Sequence, residues 1–255
     1  MKHRTFVFIG MAIFAVTVTI LISCQRPQAP LVPDFQSFAA GAERKQAFFD
    51  YFTPVVNAIN SQILADRTAL MAWHARKSEL SSREIKRVQA LAEQYELKDF
   101  NVDQEADWMA LIQRVDIIPP SLVLAQAANE SAWGTSRFAR EGNNYFGQWC
   151  FSKGCGLVPN QRAEGKVHEV AAFDNPQASV QSYINNLNTH AAYQRLREIR
   201  ANLREQNKPL SGAALANGLV RYSERGQAYV DELQAMIRHN QLDMLDQPSS
   251  SSNND

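Results

Sequence analysis

Residues 121–134, Ser121-Leu122-Val123-Leu124-Ala125-Gln126-Ala127-Ala128-Asn129-Glu130-Ser131-Ala132-Trp133-Gly134, decide how the rest of the chain is read. Ile117-Ile118-Pro119-Pro120 ahead of them forces extended backbone, because a residue before proline avoids the α region. A helix therefore starts near Ser121. Its body, Leu122 to Ala128, is apolar on nearly every side, as a helix buried all round must be. It then meets an acid, Glu130, and an indole, Trp133, and stops at Gly134. The spacing puts Leu122, Gln126, Glu130 and Trp133 on one helical face. A carboxylate closing a buried helix beside an indole is partly desolvated, which disfavours its ionised form. A general acid for glycosidic cleavage needs that property. The competing use of Glu130 is structural, as an ion-pair partner of Arg137 or Arg140.

Working outward, helical signals dominate. From Glu43, Phe48, Phe52, Val55, Ile59 and Ile63 recur at helical spacing, and Leu70, Met71 and Trp73 continue the face. Thr53-Pro54 inside this run reads as an N-cap and first helical position, so a break or kink is expected there. Ser81-Ser82-Arg83-Glu84 is a capping box opening a second helix, with Val88, Leu91 and Tyr95 on one side. Asp107 to Val115 reads as a third. Beyond Gly134, Thr135-Ser136 caps a short helix. Residues 141–166, punctuated by glycines, and the alternating residues 167–173 predict loops and a small β-hairpin. Asn175-Pro176 opens another helix, and helical stretches follow at 193–206, 211–219 and 227–242. The fold class is α+β and predominantly helical.

The chain has 255 residues, 45% of them hydrophobic, which excludes collagen-like, low-complexity and wholly disordered classes. Lys plus Arg and Asp plus Glu both number 26, so the basic surplus of a nucleic-acid binder is missing. Lys2, His3 and Arg4 precede an apolar run from Thr5 to Ser23, the pattern of an export signal or of a single membrane span. Leu21-Ile22-Ser23-Cys24 resembles a bacterial lipobox. On that reading residues 1–23 are a signal peptide and Cys24 carries lipid. Residues 24–42, rich in Pro, Ala, Gln and Ser, form a tether. An uncleaved anchor is the alternative, and either way the remainder lies outside the cytoplasm, on the periplasmic side. Cys150 and Cys155 then remain, and in an oxidising compartment so close a pair forms a disulfide that shapes a loop. The tail, 247–255, is predicted disordered.

Leu124 to Gly134, followed by Asn143-Asn144-Tyr145-Phe146-Gly147, resembles the signature of the family 73 glucosaminidases, roughly "LAQAALESGWG…NLFG". These are bacterial peptidoglycan hydrolases of lysozyme-like fold. Asn129 and Ala132 stand where the family more often has Leu or Ile and Gly. The likeness runs from about Ile117 to Met244, and Asn188-Thr189-His190 points to the branch of the family named after the Bax protein. It implies a lysozyme-like glucosaminidase domain at 111–246 with a small β-hairpin lobe, preceded by an N-terminal helical region at 43–110.

By the same resemblance Glu130 corresponds to the catalytic acid. Arg221-Tyr222-Ser223…Tyr229 is similar to the family's "YATDPxY", which makes Tyr222 an active-site residue. Gln126, Asn144, Tyr145 and Tyr229 become substrate-binding candidates. Trp133, Phe146 and Trp149 are candidates to stack on sugars, with packing behind the acid the alternative for Trp133 and core packing for Phe146. A second glutamate often stands on the family's β-lobe, and Glu164 and Glu169 are the candidates here, Glu164 in the expected turn being preferred. If neither reaches the cleft, hydrolysis leans on the substrate's own acetamido group.

The five histidines form no ligand cluster, and phosphate-loop and nucleophile-elbow motifs are absent, so neither metal nor cofactor is implied. The expected partners are peptidoglycan glycan strands and, through the N-terminus, a membrane. Two other functions stand beside the endo-β-N-acetylglucosaminidase: a lytic transglycosylase on a similar fold, and an inactive wall-binding scaffold lipoprotein.

Overall fold

The computed structural model describes residues 31–160, 165 and 167–247. The expected signal segment with Cys24, the candidate Glu164 and the tail beyond Gln247 lie outside the described residues. In chain order come α1 (Ala42–His74), α2 (Ser82–Gln94), α3 (Glu105–Arg114), α4 (Pro120–Glu130) and α5 (Arg137–Gly142). Strands β1 (Trp149–Cys150), β2 (Gly156–Leu157) and β3 (Glu169–Ala171) follow. Helices α6 (Pro176–Thr189), α7 (Gln194–Glu205), α8 (Gly212–Leu215) and α9 (Gln227–His239) complete the fold, which is helical and lysozyme-like with a small sheet.

Local chemistry sets the helix starts. At α2 the Ser81 hydroxyl accepts from Glu84 N while the Glu84 carboxylate accepts from Ser81 N, the reciprocal capping box. Ser136 caps α5 and Asn175 caps α6 through their side-chain oxygens. The break expected at Thr53-Pro54 does not occur, and α1 runs through Pro54. Pro54 is exposed, so the acceptor it leaves unused faces water, while Phe48, Phe52, Val56, Ile59 and Ile63 bury the opposite face. Packing outweighs the local penalty.

Among the described residues there are two hydrophobic clusters, and α1 belongs to both. Its first half joins α4, α6 and α9 in the larger one. Leu70, near its end, packs with Val88, Leu91, Trp108 and Leu111 of α2 and α3 in the smaller one. Residue 110, the expected domain boundary, falls inside α3.

Every residue of α4 from Pro120 to Ala128 is buried. Two carboxylates hold its entry. Asp246 accepts from Ser121 N at 3.0 Å, Ser121 Oγ at 2.7 Å and Gly212 N at 2.9 Å, so it serves as cap for a helix whose own N-cap is a proline. Gly212 is required there, since a Cβ would lie 2.0 Å from Ser121 Oγ. Asp116, 2% exposed, meets Arg204 at 2.7 Å, Arg67 at 3.6 Å and Arg200 at 3.9 Å. Arg200 is itself buried, and its guanidinium donates to the carbonyls of Gln113, Asp116 and Ile117 and to Asn188 Oδ1, tying α7 and α6 to the α3–α4 link.

The lobe is a three-stranded antiparallel sheet of order β1-β3-β2, in which the consecutive strands β2 and β3 form the hairpin and β1 pairs along the other edge of β3. β3 pairs on both sides, Trp149 opposite Val170 and Leu157 opposite Val170. The Cys150–Cys155 disulfide, with Cα atoms 6.2 Å apart, closes the loop that returns the chain from β1 to the far edge.

Candidate active site

α4 ends in a Schellman-type turn immediately after Glu130. Trp133 N donates to Ala128 O at 2.9 Å, closing the six-residue ring that satisfies a terminal carbonyl. Ala132, Trp133 and Gly134 all have positive φ, at 50°, 59° and 78°. The first two are conformations that L residues adopt at a cost. Ser131 braces the turn from inside, its hydroxyl donating to Ala127 O and accepting from Gly134 N.

This turn leaves Glu130 partly exposed at the end of a buried helix. Its Oε1 accepts from the Tyr229 hydroxyl at 2.7 Å and, weakly, from Asn129 Nδ2 at 3.4 Å. No ion pair to Glu130 exists among the described residues, and Arg137 pairs with Glu141 at 2.9 Å instead. Behind Tyr229 the bonding continues inward. Gln126 Nε2 donates to the Tyr229 oxygen at 2.9 Å, and the Tyr183 hydroxyl donates to Gln126 Oε1. Oε2 of Glu130 meets no protein donor among the described residues. Burial, then the neighbouring Tyr222 and the Glu130 charge, push the Tyr229 phenol far above the usual range. It stays a donor at every working pH.

Tyr222 stacks on Tyr229, ring planes 7° apart and centroids at 5.5 Å. Its hydroxyl donates to Phe146 O at 2.9 Å. The tyrosine in contact with the acid is thus Tyr229, placed among the substrate binders from sequence, while Tyr222 supports it and ties it to the 143–147 loop.

Several residues expected to touch substrate are interior. Gln126, Asn144, Tyr145, Phe146 and Tyr229 are each no more than 2% exposed. Asn144 spends both ends of its amide on the loop, donating to Gln148 O and Ala171 O and accepting from Phe146 N and Gln148 N. Tyr145 packs on Phe52, and Phe146 stacks on Tyr183 at 3.9 Å. Trp133 packs edge-on against Phe48 and Phe49 of α1, behind the acid. Of the aromatic candidates Trp149 is the open one, 60% exposed and stacked on His168 at 4.2 Å.

Glu169 is 5% exposed, and its carboxylate accepts from Gly154 N at 3.0 Å and Gly156 N at 2.9 Å. These bonds hold the disulfide loop. Cys150 Sγ, Cys155 Sγ and a Glu169 oxygen lie within 4.8 Å of one another, a metal-like cluster whose sulfurs are already joined to each other. Sequence reasoning missed Tyr183. Its place on the apolar face of α6 with Val180, Ile184 and Leu187 reads as core, and the signal was a phenol there that needs a buried partner.

Residues 105–242 match the glucosaminidase family described as mannosyl-glycoprotein endo-beta-N-acetylglucosaminidase. The protein named Protein bax of Escherichia coli strain K12 is 36% identical over 210 residues, which cover 82% of this chain and 74% of that protein. No solved structure matches.

Proposed function

The chain belongs to the glucosaminidase family, and from that premise we propose that it is an endo-β-N-acetylglucosaminidase of peptidoglycan glycan strands. Family membership carries the coarser statement, a glycoside hydrolase acting on glycans. The observation that supports Glu130 as the acid of that reaction is the Tyr229 bond to Glu130 Oε1. Because Oε1 is occupied as an acceptor, the acid proton belongs on Oε2, the oxygen without a protein partner. From there it passes to the glycosidic oxygen as the bond to the leaving sugar breaks. The oxocarbenium-like centre is then met by Glu164 or by the substrate's acetamido oxygen, since Glu169 is committed to its loop. Glu164→Gln separates these two routes.

Glu130→Gln keeps shape and cannot release a proton. The variant is expected to fold, to bind purified sacculi and to lose about 10²–10⁴-fold in rate. Wild-type turnover in that variant rejects the reading and favours the scaffold. Mass spectrometry of the products decides the linkage: a reducing N-acetylglucosamine end supports the proposal, and an anhydro-muramic end assigns a lytic transglycosylase.

We further propose that Cys24 is lipidated and that the protein is held at a membrane facing the periplasm. Leu21-Ile22-Ser23-Cys24 after a basic and apolar leader supports this. No helix among the described residues is long and apolar enough to cross a membrane. An intact mass that still includes residues 1–23 rejects it.

A further inference from the structure

Phe35 lies ahead of every helix among the described residues, in a stretch whose composition reads as a tether, yet it is 2% exposed. Its ring seats directly on Gly134. A Cβ at Gly134 would come 2.3 Å from Phe35 Cδ2, so only glycine admits the ring. On its other sides Phe35 meets Phe48, Phe52 and Tyr51 of α1, with ring centroids at 5.3, 6.2 and 6.3 Å. Next to Gly134, Trp133 is gripped by Phe48 at 5.8 Å and Phe49 at 5.4 Å, and the Lys45 ammonium lies 5.0 Å over its ring.

The Trp133–Gly134 end of the left-handed run that follows Glu130 is therefore enclosed by Phe35 and the start of α1, while Ala132 faces solvent. Trp133 holds a costly dihedral, which persists only where surrounding packing over-determines it. Local bonding fixes residues 34–37 as well: Asp34 accepts from Gln36 N with its side chain and from Ser37 N and Oγ with its carbonyl. The ring is thus presented by an ordered turn.

We propose that Phe35 is a positioning residue for the glycosidase site, holding the Ala132–Gly134 turn and through it the seating of Glu130 against Tyr229. The inference rests on reading Glu130 as the acid. Truncating the ring leaves one side of Gly134 open. The strained turn then relaxes into the space and the last residue of α4 shifts with it. A displacement of this kind misaligns the proton donor without altering surfaces that bind glycan elsewhere. Turnover falls and binding holds.

The test uses the full chain on soluble uncrosslinked glycan strands, comparing Phe35→Ala, Phe35→Leu, Glu130→Gln and Leu70→Ala. Leu70 is fully buried in the smaller cluster and serves as a destabilised control away from the site. Phe35→Ala is expected to lower kcat about tenfold or more with KM within about twofold. Phe35→Leu, which refills most of the space, restores most of it. Leu70→Ala, assayed below its melting temperature, keeps wild-type kcat. Wild-type kcat in Phe35→Ala, or an equal loss in Leu70→Ala, overturns the proposal. If Phe35→Ala does not fold, Phe35→Val, which also leaves much of the space beside Gly134 open, decides: a reduced kcat at unchanged KM supports positioning, and wild-type kcat overturns it. A wild-type chain that releases nothing, or Glu130→Gln with full turnover, removes the hydrolase reading and this inference together. An active wild type with inactive Glu130→Gln and unaffected Phe35→Ala removes the inference alone.

Discussion

Tyr229 stands 2.7 Å from Glu130 Oε1 and 2.9 Å from Gln126 Nε2, and these two contacts fix which way its proton points. The amide donates to the phenol oxygen, so the phenol must donate to the carboxylate. Tyr229→Phe removes that donor and leaves the Gln126 amide without its acceptor. The expected result is a folded protein with kcat lowered about 10–100-fold and stability lower by about 1–3 kcal/mol. Tyr222→Phe removes only the bond to Phe146 O. It should cost about 1 kcal/mol and change kcat far less. Initial rates of fragment release and thermal melts on both variants check the order, and a larger rate loss in Tyr222→Phe would reverse the assignment.

Glu130 and the helix it closes were legible because both signals are local. An apolar run bounded by Pro119-Pro120 and Gly134 admits one reading, and the carboxylate at its end is conspicuous. Capping at Ser81, Ser136 and Asn175 was legible for the same reason. What escaped depends on distant pairing. Asp246 caps α4 from 125 residues away, Phe35 fills a space left by Gly134, and it is Tyr229 at the start of α9, not Tyr222, that reaches Glu130. Central placement of β3 is equally non-local, since its partners precede it on both edges. Pro54 is the converse case, since its local helix-breaking penalty is outweighed by the aromatic face packed opposite it.

Ala132 occupies the position of a Schellman turn that glycine favours, at φ 50°, and its side chain is exposed. Ala132→Gly relieves left-handed strain and removes no buried contact. It should stabilise the fold by about 1 kcal/mol, offset in part by the flexibility glycine adds to the unfolded chain. A urea titration with unchanged m-value and a raised midpoint is the expected outcome. A lowered midpoint would mean that the turn is not strained at this residue.

Burial alone would raise the Asp116 carboxyl, but the Arg204 hydrogen bond and the charges of Arg200, Arg67 and Arg204 outweigh it and hold the group below the usual range. A depressed folded-state value means the contribution to stability is full above the unfolded value, about 3.9, and is lost as pH falls through the folded one. Wild-type stability should therefore drop on the acid side below about pH 4. Asp116→Asn leaves buried Arg200 facing an uncharged partner, at a cost of about 3–5 kcal/mol near neutral pH, and flattens that acid limb. Urea midpoints followed from neutral pH into the acid limb test it. Parallel acid limbs in the two proteins would show that other carboxylates govern acid unfolding.

Glu169 offers two opposed expectations that one substitution separates. As a second catalytic carboxylate it would act on the reacting carbon, and Glu169→Gln would reduce kcat by about 10²-fold or more at unchanged KM. Its observed bonds argue for a different outcome. Both Gly154 N and Gly156 N donate to the carboxylate, and glutamine offers one acceptor oxygen where the acid has two. One backbone donor in the disulfide loop loses its partner, at about 1–3 kcal/mol. The loop leads directly from Trp149, an exposed aromatic at the edge of the sheet, so its loosening is felt in substrate affinity. We expect KM to rise several-fold, about as far as a lost contact of 1 kcal/mol allows, with kcat nearly preserved. Reduction of Cys150–Cys155 loosens the same loop and should reproduce the KM change. Combined with Glu169→Gln it should add little, because both act on one segment. A collapse of kcat in Glu169→Gln that reduction does not mimic would instead make Glu169 the second carboxylate and require the lobe to open during turnover.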